Sequence, residues 1–366
     1  GLQLDNNGNL INSGSLIANQ GKVDITTRGH SADNSGTIAS SRDTAALNSS
    51  TLNNSGVISS RGILSLQQTG AIDNSGELSS GSFDVKAAAL NNSGTLLQTG
   101  SGKLAIDTKS LSNRQGGIIG QDLYPSDSST PPNVTPSKTP PTTANNGSSV
   151  GTDDNSEPSE TPTPLPVITR DGNINVGNLT NTGSAPLKGK ARTGVIYTNG
   201  AITVAADNVL NQDKSSLAVS TLNIADNGSA SNTDSRLQLD QIDWQLASFD
   251  NSKGQIITSG GIALDVNNDI DNTQGTLASS GDITLNAKGD INNSEGLIQS
   301  SANLSTVSTN LDNSNGKLIS KGAMTINNRG DLTNAKGNIS SAKDASINSK
   351  TINNDSGQIT AQGILT

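Results

Sequence analysis

A short polar element that contains Asn and Gly recurs along this chain at intervals of about 20 residues. Near the start it is Asn-Ser-Gly, and its glycines, at positions 14, 36, 56, 76 and 94, are 22, 20, 20 and 18 residues apart. From residue 251 it has one more residue, as in Asn251-Ser252-Lys253-Gly254, and it recurs after 20 or 21 residues. A unit this short cannot bury an apolar face alone, so we expect the units to stack as a solenoid.

Each repeat carries apolar residues at fixed places. One aliphatic residue stands two positions after the glycine, a second stands two positions before the asparagine, and a third stretch alternates apolar and polar residues, as in Ile283-Thr284-Leu285. Three short strands per repeat, separated by Gly, Asn and Asp turns, account for this pattern, whereas the frequent Gly and Asn argue against helices. We therefore predict an all-β fold, a parallel β-helix of about fifteen coils of 20–21 residues, with the Asn side chains stacked at one turn.

The aliphatic column after the glycine is the predicted core ladder, with one inward-facing side chain per coil. Its predicted members are Leu16, Ile38, Ile58, Leu78, Leu96, Ile118, Ile196, Leu217, Ile256, Leu277, Ile298, Leu318, Ile339 and Ile359. Acidic residues also recur just before the asparagine, at Asp33, Asp73, Asp271 and Asp312. Their regular position favours a role in the turns over metal binding.

The composition excludes several classes of function. Only 30% of the 366 residues are hydrophobic and 1% are aromatic, too few for an ordinary globular core. With no Cys and one His, His30, which we interpret as a solvated turn residue, the chain lacks the residues for a zinc cluster, a disulfide framework or a thiol nucleophile. We expect no metal and no cofactor. The net charge of −9 argues against nucleic-acid binding, and no apolar run is long enough for a transmembrane segment.

Two regions interrupt the repeat. Ten of the eleven prolines lie in residues 122–166, a Pro/Ser/Thr-rich segment predicted to be disordered. Because the repeat resumes at residues 172–176, where the same coil would continue, we predict a loop extruded from one coil; a linker between two β-helix domains is the alternative. The predicted organisation is a first array of coils (1–121), this loop or linker (122–166), irregular coils with insertions (167–249) and a second array (250–366).

The irregular coils hold the candidate partner-binding residues. An insertion at 184–193 is basic and suits an anionic glycan or a lipid headgroup, although short charge runs are usually solvated. Three of the five aromatic residues fall between 184 and 249, and Trp244 either fills a wider core layer or contacts a partner. The predicted partner-binding residues are Lys188, Lys190, Arg192, Tyr197, Trp244 and Phe249.

The stretch Leu-Ala-Ser-Ser-Gly-Asp-Ile-Thr-Leu-Asn-Ala-Lys-Gly-Asp-Ile-Asn-Asn-Ser, residues 277–294, resembles the filamentous haemagglutinin repeat, and the resemblance covers most of the chain. It implies a right-handed helix in a secreted exoprotein at the surface of a Gram-negative bacterium. It also implies export through the outer-membrane transporter of a two-partner system. Residues 1–10 lack the features of a signal peptide, so we interpret the chain as an interior fragment of such a protein.

Three hypotheses for the function follow. The one we favour is a non-catalytic filament segment that serves as a stalk. Its irregular coils would bind a surface receptor, an outer-membrane protein or a glycan on a neighbouring or host cell, for adhesion or contact-dependent toxin delivery. The second is the repeat region of a secreted haemolysin. The third is a β-helix polysaccharide-degrading enzyme, which would need paired carboxylates or an acidic calcium site on one face, whereas the charges here are scattered.

Overall fold

The computed structural model describes residues 1–121, 171–183, 194–198 and 201–366. In these residues every regular element is a β-strand, and the strands pair in parallel. The predicted all-β fold with parallel strands is therefore confirmed. The predicted loop at 122–166 lies outside the described residues.

The described residues form 37 strands, named here in chain order. In the first array they are β1 (Leu2–Asp5), β2 (Leu10–Asn12), β3 (Ser15–Ala18), β4 (Val23–Thr26), β5 (Ala32–Asn34), β6 (Thr37–Ser40), β7 (Ala45–Ser49), β8 (Leu52–Asn54), β9 (Val57–Gln68), β10 (Ala71–Asn74), β11 (Glu77–Asn92), β12 (Thr95–Gln98), β13 (Leu104–Asn113) and β14 (Ile118–Gln121). The middle coils contain β15 (Asp171–Thr182), β16 (Val195–Tyr197), β17 (Ala201–Gln212), β18 (Ser216–Ala218), β19 (Thr221–Ser231), β20 (Arg236–Leu239) and β21 (Ile242–Asp250).

The second array continues the series with shorter strands. They are β22 (Gln255–Thr258), β23 (Ile262–Val266), β24 (Ile270–Asp271), β25 (Thr276–Ser279), β26 (Ile283–Ala287), β27 (Ile291–Asn292), β28 (Leu297–Ser300), β29 (Leu304–Ser308), β30 (Leu311–Asp312), β31 (Lys317–Ser320), β32 (Met324–Asn328), β33 (Asp331–Thr333), β34 (Asn338–Ser341), β35 (Ala345–Asn348), β36 (Thr351–Asn353) and β37 (Gln358–Ala361).

Each coil contributes one strand to each of three sheets. In the first sheet, whose strands follow the turn glycine, Leu277 is paired with Ile298 of the next coil. The second sheet pairs β26 with β29, and the third pairs β27 with β30. Longer strands such as β11 pass from one sheet into the next without a loop. The three sheets close a solenoid of about 14 turns, close to the fifteen coils predicted.

The stack of coils continues past the segment at 122–170. Strand β13 precedes that segment and β15 follows it. The two strands pair along the length of β13, with Leu104 opposite Gly172 and Asn113 opposite Asn181. Likewise β14 pairs with β16, so that Ile119 lies opposite Ile196. The coils on either side of the segment are therefore direct neighbours, joined by the same parallel pairing as the rest.

The aliphatic columns form one continuous core. Eleven of the fourteen predicted ladder residues are 2% exposed or less, and Leu16 and Ile359, near the ends of the stack, are partly buried against the same core. The prediction for Ile118 is wrong, because this side chain is 37% exposed and Ile119 takes the inward position instead. The turn here has two consecutive glycines. Gly116 has a positive φ of 78° and belongs to the turn itself, and Gly117 is the one that precedes the strand.

A ladder of asparagine side chains runs through every described coil at the turn before the first sheet. The Nδ2 atom of each member donates to the Oδ1 atom of the next, over 2.6–2.9 Å. The same amide nitrogen also donates to backbone carbonyls of the turn, as from Asn313 to Gly316. The members are Asn12, Asn34, Asn54, Asn74, Asn92, Asn113, Asn181, Asn211, Asn232, Asn251, Asn272, Asn293, Asn313, Asn334 and Asn354.

The turn that begins at the ladder asparagine has three residues in the Asn-Ser-Gly coils and four or five in the longer turns. In the longer turn the third residue has a left-handed backbone, with φ of 55° at Lys336. The next residue is a glycine that lies against the previous coil: a Cβ added to Gly337 would sit 2.2 Å from the carbonyl oxygen of Asn313. Position 337 therefore requires glycine, because the previous coil leaves no room for a side chain. Position 336 carries a side chain, although its left-handed backbone is one that glycine adopts more easily.

This pair of neighbours gives a matched test of the turn. We expect Gly337→Ala to lower the free energy of unfolding by about 2–4 kcal/mol, because the new methyl group forces two coils apart. Lys336→Gly should instead raise it by up to about 1 kcal/mol, since it relieves the left-handed backbone. Urea unfolding followed by circular dichroism measures both. Equal effects of the two substitutions would contradict this account of the turn.

Candidate functional site

The structure places two of the predicted partner-binding aromatics inside the solenoid. Trp244 and Phe249, both on β21, are each 3% exposed. The indole Nε1 of Trp244 donates to the carbonyl oxygen of Leu222, 2.7 Å away in the preceding coil. Trp244 is paired with Leu264 in the next coil, so the ring takes a core position that aliphatic side chains fill elsewhere. These two rings are not presented to a partner, and core packing is the arrangement found for Trp244.

Tyr197 lies apart from them on the outside of the first sheet. It is half-buried and paired with Gly120 of the preceding coil, whose missing side chain makes room for the ring: a Cβ on Gly120 would sit 2.4 Å from Cε1 of Tyr197. Lys188, Lys190 and Arg192 lie outside the described residues. The structure therefore separates Tyr197, on the outside, from the two buried rings, and the basic cluster stays a prediction.

The charged groups of the described residues form few contacts with one another. The one ion pair among them joins Arg28 to Asp5, with Nε–Oδ1 and Nη2–Oδ2 distances of 2.7 and 2.6 Å. These hydrogen bonds lower the pKa of Asp5 and raise that of Arg28, but both side chains are well exposed, so the pair stabilises the fold little. His30 is exposed beside the same turn.

Neither metal-binding clusters nor membrane-spanning helices are found in the part of the chain that the structure describes. No three His, Asp or Glu side chains there come close enough to hold a metal ion. None of its elements is a helix that could cross a membrane.

The two large insertions in the sequence interrupt neighbouring coils of the solenoid. Residues 122–170 separate β14 from β15, and residues 184–193 separate β15 from β16. Because β14 and β16 are paired neighbours in the first sheet, the described ends of the two insertions lie in adjacent coils.

A polar groove of about 590 Å³ runs along the first array, beside the asparagine ladder. One wall is formed by outward-facing residues of the third sheet and the other by the serines of the Asn-Ser-Gly turns, and we call it the Asn-Ser groove. It exists where the turns are short and ends at Arg114 and Gln115, in the first of the longer turns. The wall residues are Asp33, Asn53, Asp73, Asn91 and Ser112 on one side and Ser35, Ser55, Ser75 and Ser93 on the other.

The acidic residues before the asparagine have two different roles, according to the turn that follows. In the longer turns the carboxylate accepts a backbone hydrogen bond, as from Thr273 N to Asp271 Oδ1 and from Ser314 N to Asp312 Oδ1, both 2.8 Å. This is the turn role expected from the sequence. In the short turns Asp33 instead accepts from the Asn53 amide of the next coil, at 2.6 Å, and lines the Asn-Ser groove.

A second groove, of about 800 Å³, lies where long strands bend from the second sheet into the third. The bend in β13 places Asp107, Thr108 and Lys109 in its lining, and Asp207 on β17 contributes another carboxylate. The hydroxyl of Thr108, a residue 6% exposed, has no hydrogen-bond partner. The charges of this second groove are mixed and do not select one class of ligand.

Comparison with known families gives one result. A family model described as the haemagglutinin repeat matches residues 1–30, 17–79, 77–123, 247–336 and 315–366, more than half of the chain. Neither the curated proteins nor the solved structures contain a match. The matched ranges are the two regular arrays. The unmatched centre holds both insertions and two coils in which Ser215 and Ser235 stand before the first-sheet strand, where other coils have glycine.

Proposed function

Because this chain belongs to the haemagglutinin-repeat family, we propose that it is a rigid, non-catalytic stalk segment of a bacterial surface filament. One observation carries the proposal: the asparagine ladder and the parallel pairing continue from coil to coil through about 14 turns. At about 4.8 Å per coil, the stack is on the order of 70 Å long. The family is a structural and adhesin family, which agrees with a mechanical role.

A location at the cell surface fits the physical properties of the chain. The family consists of secreted and surface adhesins. Export through an outer-membrane transporter, the partner that we propose, requires an unfolded chain, and a sequence without Cys carries no disulfide to hinder that passage. Since each coil contacts only its neighbours, coils can stack in order as they emerge.

We further propose that the insertions bind a receptor, an outer-membrane protein or a glycan, on a neighbouring or host cell. Residues added to a rigid scaffold are where binding usually resides, because they vary without disturbing the core. The described residues that flank the two insertions lie in adjacent coils, which favours joint action of the insertions on one partner. Such receptor binding would serve either adhesion or contact-dependent toxin delivery.

The stalk proposal predicts that whole coils can be removed. Deleting residues 276–337 takes out three repeats and joins Gly275 to Asn338, so we expect a folded protein whose stack is shorter by ~14 Å. Deleting residues 276–326 is the control, because it removes two repeats and half of the next and breaks the register of the ladder. Electron microscopy of single particles measures the length. An unchanged length after the whole-coil deletion would contradict the stalk.

The receptor proposal predicts that binding to Gram-negative cells depends on the insertions. We expect the chain to bind to Gram-negative cells that carry the receptor. A variant with residues 184–193 replaced by a short turn should lose that binding and keep its β-sheet circular dichroism. A second variant that lacks residues 122–166 separates the contributions of the two insertions. Fluorescently labelled protein and flow cytometry give the readout. Binding that survives the loss of both insertions would place the receptor site elsewhere.

A further inference from the structure

We propose that the Asn-Ser groove binds a linear, neutral, hydroxyl-rich glycan that lies along the stack of coils. This inference goes beyond the proposed function, which places receptor binding at the insertions. The groove follows from turn length. A three-residue turn brings the chain directly from the ladder asparagine into the next strand, whereas Arg114 and Gln115 are the extra residues of the first longer turn and close the groove at one end. Exposed Ile11 lines the other end.

The groove repeats along its length, which suits a polymer. Five successive coils place Asp33, Asn53, Asp73, Asn91 and Ser112 at equivalent positions of the third sheet. Adjacent strands are about 4.8 Å apart, so the row is about 19 Å long. A straight, extended chain of several sugar units contacts such a row at every coil, whereas a compact ligand would use only part of it.

The wall side chains are held ready to bind hydroxyl groups. Asn53 donates its amide to Asp33 over 2.6 Å, and Asn91 donates to Asp73 over 2.7 Å. These bonds orient each pair but occupy only Oδ1 of the carboxylate and one Nδ2 hydrogen of the amide. The second carboxylate oxygen and the amide oxygen stay available as acceptors, and the second amide hydrogen as a donor. A sugar hydroxyl both donates and accepts, so it can use both kinds of group.

The same groups select against other extended polymers. A peptide usually binds to a sheet by adding a strand, but the backbone here is already paired with the coils on either side. A polyanion such as a nucleic acid or a sulfated glycan would meet the carboxylates of Asp33 and Asp73. The ligand must therefore bring its own donors and acceptors along its length without bringing negative charge.

An unsatisfied hydroxyl marks the closed end of the groove. Ser112 is 5% exposed and lines the groove, and its Oγ has no hydrogen-bond partner within the described residues. Buried polar atoms without a partner are uncommon, since each costs about 1–3 kcal/mol. Ser112 Oγ is covered in this structure, so a sugar hydroxyl bound beside Arg114 supplies the missing partner once the covering side chains move aside. This observation is independent of the row of acids and amides.

Isothermal titration of the full chain with cellohexaose, N-acetylchitohexaose and dextran sulfate tests the proposal. We expect at least one neutral hexasaccharide to bind and dextran sulfate not to bind. The double variant N53A/N91A removes the two exposed amides, and its affinity should fall by about tenfold or more. The matched control N327A/N348A removes an equally exposed amide pair on the second sheet, bonded over 3.2 Å, and should bind as the parent chain does.

Each outcome decides the proposal. Loss of binding in N53A/N91A with retained circular dichroism and retained binding in N327A/N348A supports the groove. Absence of binding to both neutral glycans, equal binding by the two double variants, or preference for dextran sulfate overturns it. Particle length is unaffected by either double variant, so this result and the test of the stalk are separate.

Discussion

The hydrogen bond from one asparagine amide to the next is the interaction on which this structure depends. A buried amide needs partners for its two hydrogens and its oxygen, and here the coils before and after supply them. Each coil is therefore satisfied only when its neighbours are in register. The constraint reaches the backbone, because the adjacent glycine lies against the previous coil where no side chain fits. It also crosses the segment at 122–170, where Asn113 donates to Asn181.

Because the interactions that hold the coils together lie inside the stack and at the ladder turn, the outward positions are free to vary. Stability comes from inward aliphatic columns, backbone pairing and the amide ladder, all of which repeat from coil to coil. The outward residues contribute little to that stack, so a coil can accept an insertion or a different turn length without interrupting it. Change of turn length opens the Asn-Ser groove over the first array and closes it at Arg114. A stalk can thus carry binding surfaces along its sides.

The repeat alone predicted the strands, the core ladder and the stacked asparagines, because each follows from a residue type at fixed spacing. The predicted inward position of Ile118 is wrong, because this turn has two adjacent glycines and the sequence alone does not show which of them precedes the strand. The middle coils were harder to recognise in the sequence because serine replaces the turn glycine there. The structure shows that Ser215 occupies this position and that its Oγ donates a hydrogen bond to the Asn181 carbonyl oxygen. The Asn-Ser groove was missed because a groove depends on how turns of several coils compare once stacked. The signal was present in the sequence as the change in turn length.

The most direct test of the central claim is native-state hydrogen exchange on Asn293→Ala, with Asn327→Ala as the control. Asn293 is a buried ladder member in the middle of the second array, and Asn327 is an exposed asparagine in the same array. We predict that Asn293→Ala lowers the protection of backbone amides in the coils on either side by about 2 kcal/mol or more, because it removes the acceptor of the Asn272 ladder bond and the donor to the buried Asn313 Oδ1. Asn327→Ala should change protection little. Equal protection in the two variants would contradict the claim that the amide ladder holds the coils together.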